Sequence, residues 1–223
     1  MATIQTDQDQ QDWGAQKVFA DGDLTGLWVP DKWIVHYGGN ASPAATNPAL
    51  ETWALRIYEQ SHLSRGWRAI GYNYAVGNSG TTYRLRGENP SGATSGDYEG
   101  DGIPENNEGR AVLWLGGGTQ EPTAEAYAAM RSLIMQDPLP VIAHKDVKGI
   151  TSCPGPWWTE WVHSFEVENY MPVQLWNQFI DAFFEGRPDE FVGDSDYWKL
   201  LDPDSPEWAD FFAAVVRSIS LES

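Results

Sequence analysis

Lys32-Trp33-Ile34-Val35-His36-Tyr37 is a mostly apolar run rich in β-formers, and Gly38-Gly39-Asn40 ends it. The run predicts a central strand that delivers a histidine to its own end. The Pro/Ala/Thr/Asn stretch up to Asn47 reads as a loop, and Pro48 suits the first turn of a helix. Leu50, Trp53, Ala54, Ile57 and Tyr58 recur at helical spacing, which predicts one apolar stripe facing a sheet. Residues 70–76 and 82–85 read as two strands joined through the turn Gly77-Asn78-Ser79-Gly80. Ala111-Val112-Leu113-Trp114-Leu115 is a further buried strand, stopped by Gly116-Gly117-Gly118. Thr123 can cap a helix that buries Ala126, Met130, Leu133 and Ile134. Leu139-Pro140-Val141-Ile142-Ala143 then brings His144 out of a short strand. Strands alternating with helices predict an α/β fold, a central mixed β-sheet flanked by helices.

The chemistry-bearing residues follow from the same strands. Cys153, the only cysteine, lies nine residues after His144, in Thr151-Ser152-Cys153-Pro154-Gly155. A zinc ion draws imidazole nitrogen and thiolate sulfur together at about 2.0–2.3 Å, and three protein ligands with an open fourth position make a catalytic site. His36 is the third candidate. From these residues alone, a core cysteine with a surface histidine remains an equal alternative. His62 and His163 are assigned surface or packing roles, and Trp157, Trp158 and Trp161 core packing.

Val35-His36-Tyr37, Arg65-Gly66-Trp67 leading into Ile70-Gly71-Tyr72-Asn73-Tyr74, His144-Lys145-Asp146-Val147 and Thr151-Ser152-Cys153-Pro154-Gly155 occur in that order. Together they resemble the zinc N-acetylmuramoyl-L-alanine amidases, a family that includes phage lysozyme-type amidases and peptidoglycan recognition proteins. The resemblance spans about residues 30 to 163. It implies Zn²⁺ held by His36, His144 and Cys153, with Tyr72 as a catalytic residue. It also implies hydrolysis of the bond between N-acetylmuramic acid and L-alanine in bacterial peptidoglycan. A second catalytic residue lies two before the cysteine in the family, which gives Thr151 here. Lys148 is its rival, because the family commonly has eight residues from histidine to cysteine and this chain has nine. Two other departures, Asn73 and Gly92-Ala93-Thr94 in place of histidine-containing motifs, are expected to touch substrate contacts and not the metal. Some members bind muropeptide without cutting it, so a non-catalytic binding module is the alternative function.

Composition limits the rest. The 223 residues carry a formal charge of −18, which opposes binding to nucleic-acid phosphates and to an anionic wall by simple attraction. No apolar run approaches the roughly 20 residues that cross a bilayer. One cysteine permits no internal disulfide. The first residues lack the basic and apolar regions of a secretory signal. The expectation is therefore a protein made in the bacterial cytoplasm and acting on the wall, or carried on a virion. Three regions are expected: an N-terminal arm (1–29), a zinc amidase domain (30–164) and an acidic helical C-terminal extension (165–223). That extension holds 13 acidic and three basic residues, net −10. Leu175, Trp176, Phe179, Ile180 and Phe183 form one apolar stripe in it, and Trp208, Phe211, Phe212, Val215, Val216 and Ile219 another. The acids Glu99, Asp101, Glu105 and Glu108 of the long 87–108 loop are expected to be solvated.

Overall fold

A computed structural model describes residues 4–24, 28–39, 45, 47–98, 100–117, 120–148 and 151–169, with side chains at 148 and 166–169 left aside. The two apolar stripes expected after residue 170 lie outside the described residues. Five strands form one mixed sheet: β1 (Lys32–Tyr37), β2 (Tyr74–Val76), β3 (Thr82–Arg84), β4 (Gly109–Trp114) and β5 (Val141–Ala143), in the order β3-β2-β4-β1-β5. All neighbours are parallel except the β2–β3 hairpin. Every residue of β1 and β4 is buried, as expected for parallel strands covered on both faces. The helices are α1 (Pro48–Ser64), α2 (Ala124–Ile134), α3 (His144–Lys148) and α4 (Pro156–Asn169). Among the described residues no helix is long and apolar enough to cross a membrane.

Strand register decides what each face carries. Side chains alternate along a strand, so Ile34, His36, Ala111, Leu113, Ala75 and Tyr83 share one face. There Ala75, Tyr83 and Leu113 pack with Trp13, Leu55, Ile70, Leu85 and Leu115. Trp13 also anchors the N-terminal segment through its indole N–H, which donates to the Arg84 carbonyl at 2.8 Å. On the opposite face Trp114 meets Trp158 of α4, which in turn meets Tyr127 of α2. The second helix matches its sequence signature closely. Thr123 accepts from the Ala126 N–H at 3.1 Å, and Ala126, Met130, Leu133 and Ile134 are its buried residues.

α1 departs from expectation. Three residues of its apolar stripe face outward, Leu50, Trp53 and Ile57 at 46%, 49% and 48% exposed, while Ala54 and Tyr58 are half-buried and Tyr58 packs against the core. The buried face is Glu51, Leu55, Glu59 and His62. Burying carboxylates is costly unless donors meet them, and here they do. Glu51 accepts from the Ser79 N–H, the Ser79 hydroxyl and the Tyr83 hydroxyl at 2.7–2.8 Å. Glu59 accepts from the N–H groups of Gln16 and Lys17. Gly77 leaves the room this requires, since a Cβ there would run into the Glu51 carboxyl. The helix is held to the sheet by hydrogen bonds more than by its apolar periodicity.

The long acidic loop is also more ordered by pairing than its composition predicts. Glu105 and Glu108 are buried, not solvated, and with Asp31 they surround the buried Lys32 ammonium at 3.4–3.6 Å. Asp101 is exposed, as expected.

His62 makes the fold sensitive to acid. Its Nδ1 accepts from the Gly71 N–H at 3.0 Å while its ring stacks on Trp67 at 4.5 Å. Burial, and then the charges of Arg65 and Arg86, lower its pKa to about 4. Because the folded value lies below the unfolded value of about 6.5, the stability contributed by the neutral ring is complete above that pH. It is lost as pH falls from about 6.5 through about 4. We expect a loss on the order of 1–2 kcal/mol over this window, after allowing for solvent screening. Urea titrations of wild type and His62→Asn should show a shallower decline in the variant; parallel declines would place the proton uptake elsewhere.

Candidate metal centre

Parallel pairing puts two histidines side by side. Val35 is in register with Ala143, so His36 and His144, one residue further on, leave adjacent strands at the same level. Their ring centroids are 4.3 Å apart. In open sheets this carboxyl end is where ligands bind. Cys153 is drawn to the same place by backbone: the Lys145 N–H donates to the Cys153 carbonyl at 2.7 Å, and the Tyr37 N–H donates to its Sγ at 3.4 Å. The candidate ligand atoms of His36, His144 and Cys153 all lie within 4.8 Å of one another.

The donor set fits zinc. Cys153 Sγ and His36 Nδ1 are 3.6 Å apart. That is the sulfur-to-nitrogen edge of a tetrahedron with bonds of about 2.3 and 2.0–2.1 Å. Burial, then the neighbouring His144, holds His36 well below the usual histidine pKa, so the imidazole keeps the lone pair a metal needs. Burial pushes the Cys153 thiol up to about 12, with the Tyr37 N–H acting against it. A cation at the centre would reverse that preference.

Tyr72 stands edge-on to His36 at 5.3 Å and packs partly against the core. Burial, and next the proximity of Cys153, raise its pKa, so the phenol keeps its proton. Among the described residues its hydroxyl has no hydrogen-bond partner, which leaves that proton for a substrate. Thr151 is half-buried, and its hydroxyl oxygen accepts the Cys153 N–H at 3.1 Å. This leaves its own proton for another acceptor. Lys148 ends α3, and its side chain lies outside the described residues.

The remaining motif residues serve the scaffold. His163 pairs with Asp146 at 2.9 Å on the surface. Of the three tryptophans after the cysteine, Trp158 is fully buried and Trp157 is 38% exposed. Asn73 does not reach outward to substrate. It is fully buried, donates to the carbonyls of Gly87 and Asn89, and accepts from the Ala111 N–H at 2.8 Å, stapling loop to sheet. Thr94 also departs from expectation. It too is fully buried, and its hydroxyl lies 3.2 Å from His36 Nε2, against the candidate metal cluster and not on a surface open to substrate. The signal was present as a polar residue kept where the family has histidine, but only the fold shows which side it faces.

Beside the segment that carries Thr94 lies an open cleft of about 410 Å³, lined by Trp67, Arg68, Arg86, Gly92, Ser95 and Asn106 among others. Burial, then the Arg68 charge, lowers Arg86 to about 10, and its guanidinium is spent on the carbonyls of Ala69, Ile70 and Pro90. Arg68 is the exposed cation at its edge.

No protein-family model matches the sequence, and no curated protein matches it. Solved structures do. Drosophila peptidoglycan recognition protein LB is 23% identical, with 69% of this chain and 90% of that one covered at a TM-score of 0.56. Peptidoglycan recognition protein LE, solved in complex with tracheal cytotoxin, a monomeric diaminopimelic acid-type peptidoglycan, is 23% identical over 73% and 93% at 0.59. Human peptidoglycan recognition protein Iβ C, solved in complex with glycosamyl muramyl pentapeptide, is 20% identical over 69% and 92% at 0.57. The mixed sheet with its flanking helices is therefore the fold of the peptidoglycan recognition proteins.

Proposed function

We propose that this protein hydrolyses the amide bond between N-acetylmuramic acid and L-alanine in bacterial peptidoglycan, with Zn²⁺ held by His36, His144 and Cys153. The observation that carries the reading is the convergence of two imidazoles and one thiol at the carboxyl end of the sheet. Structural neighbours solved with muropeptides support the substrate class.

When bound, zinc polarises the scissile carbonyl and lowers the pKa of water toward about 7. The chain's own residues do the rest. Neutral His36 offers Nδ1, and Cys153 ligates as a thiolate, to which the Tyr37 N–H donates. Tyr72, protonated beside His36, donates to the oxyanion that develops as the amide is attacked. The Thr151 hydroxyl is the second donor. The exposed Arg68 guanidinium, with one nitrogen donating to the Leu24 carbonyl, offers a partner for a stem-peptide carboxylate, which the chain's overall negative charge would otherwise repel. A single cysteine suits synthesis in a reducing bacterial cytoplasm. We place the protein there before it acts on the wall, as a phage lysin, or on a virion as a wall hydrolase.

The deciding experiment is digestion of purified peptidoglycan with mass spectrometry of the products. New N-terminal L-alanine on peptides, with glycan strands intact, is expected. New reducing sugar ends, or amines from cross-bridges alone, would mean a different bond is cut. Binding of muropeptide without any product would favour the recognition module.

Two variants test the parts. Cys153→Ser should lose most of its zinc, because a hydroxyl stays protonated near pH 7 and is a poor zinc ligand. Unchanged stoichiometry by elemental analysis would remove Cys153 from the ligand set. Tyr72→Phe keeps the ring and removes only the donor, so kcat should fall about ten- to a thousandfold with thermal stability nearly unchanged. Thr151→Ala should also lower kcat, and by more than Lys148→Ala; the reverse ranking would give the second role to Lys148.

A further inference from the structure

His36 has two ring nitrogens and each has a separate neighbour. Nδ1 faces Cys153 Sγ at 3.6 Å and Nε2 faces the Thr94 hydroxyl at 3.2 Å. Which nitrogen is protonated decides which one can bind a metal. If Nε2 carries the proton, it donates to Thr94 and Nδ1 points its lone pair at the cysteine side. The opposite tautomer would place a proton where a ligand bond must form. A threonine hydroxyl can accept or donate; with Nδ1 the nitrogen on the cysteine side, acceptance from Nε2–H is the role that leaves a lone pair for zinc, provided Thr94 stays in place.

It is held from behind. The Thr94 N–H donates to Asn106 Oδ1 at 2.8 Å, and the Ser91 hydroxyl donates to the same oxygen at 3.2 Å. Asn106 sits in the short 3₁₀ turn Glu105–Asn107. That turn is pinned in its own right: the Glu105 N–H donates to the Gly96 carbonyl at 2.8 Å, and its carboxylate takes the Tyr98 N–H and the Lys32 ammonium. At the near end the Gly92 N–H donates to the Gly71 carbonyl at 2.7 Å, one residue before Tyr72. The buried Lys32 thus fixes the loop, the loop fixes Asn106, and Asn106 fixes Thr94 against His36.

We infer that Thr94, seated by Asn106, is the positioning residue that holds His36 in the Nε2–H tautomer, leaving Nδ1 as the metal ligand. The inference rests on the zinc reading above and assigns a purpose to the long acidic loop. Thr94 does not touch substrate in this role. It acts only through His36.

Two measurements test it on the full chain. The first uses zinc-free wild type above pH 7. Long-range proton–nitrogen spectra of the His36 ring should show a protonated Nε2 and a bare Nδ1. A protonated Nδ1 would overturn the inference, whether or not zinc binds. The second is competition for zinc against a chelator, with zinc stoichiometry of the wild type established first. Thr94→Val keeps the shape and removes the acceptor, so zinc affinity should fall about 10- to 100-fold. Thr94→Ser keeps the hydroxyl and should stay within about threefold of wild type, by the same reasoning. Wild-type affinity in Thr94→Val, or equal losses in both variants, would show that the hydroxyl does not orient the ligand. A wild type that binds no zinc would instead sink the metal reading itself, and the tautomer spectrum would still report on Thr94.

Discussion

The parallel pairing of β1 with β5 is the constraint on which the site depends. Hydrogen bonds between parallel strands fix register, and a slip of one residue would turn every side chain to the other face. With Val35 opposite Ala143, the two histidines emerge level, on one face, at the end of the sheet. No side-chain contact between them is needed to bring them together. The cysteine arrives differently, through backbone bonds from Lys145 and Tyr37 to the turn that holds it. Two of the three side chains are set by the sheet, and the third by a turn tied to β1 through Tyr37 and to α3 through Lys145.

A site built at strand ends needs a rigid surround, and here the rigidity is polar. Glu51, Glu59, His62, Asn73, Glu105 and Lys32 are all buried, and each meets hydrogen-bonding or charged partners. Such groups tolerate little movement, because a buried donor or acceptor that loses its partner costs about 1–3 kcal/mol. Apolar packing alone would let α1 and the 87–108 loop slide. Carboxylates that accept from particular N–H groups do not. His62 and Asn73 sit on either side of Tyr72 in sequence or space, and both hold its backbone neighbours. Tyr72 is thus positioned by buried polar residues around it.

What could be read from the sequence, and what could not, divides along the same line. β1, β4, β5 and the capped helix α2 were legible because their burial is apolar and periodic. The convergence of His36, His144 and Cys153 was legible because histidines and cysteines are few in this chain and chemically distinctive. The buried face of α1 was not: apolar periodicity pointed to Leu50, Trp53 and Ile57, whereas carboxylate acceptors on the other face had donors waiting on β3 and the N-terminal segment. Those donors are backbone N–H groups and hydroxyls distant in sequence, and no local pattern announces them. Asn73, Thr94, Glu105 and Glu108 were misplaced for the same reason. A polar residue in a Gly-rich stretch reads as solvated unless its partner, here a strand lysine or a buried imidazole, is already known.

The extra residue between His144 and Cys153 can be placed by asking which parts move together. The Cys153 N–H donates to the Thr151 hydroxyl, the Gly155 N–H donates to the Ser152 carbonyl, and the Cys153 carbonyl accepts from Lys145. Residues 151–155 are therefore one hydrogen-bonded turn that travels with the sulfur. An insertion inside that turn would shift the cysteine relative to β1, where the Tyr37 N–H meets Sγ. An insertion after Lys145 and before Thr151 leaves that turn, and its bond to Lys145, intact. Position relative to the cysteine is then the meaningful coordinate for a second catalytic group, and distance from the histidine is not. By that argument Thr151 keeps its place two residues before the sulfur however long the preceding segment becomes.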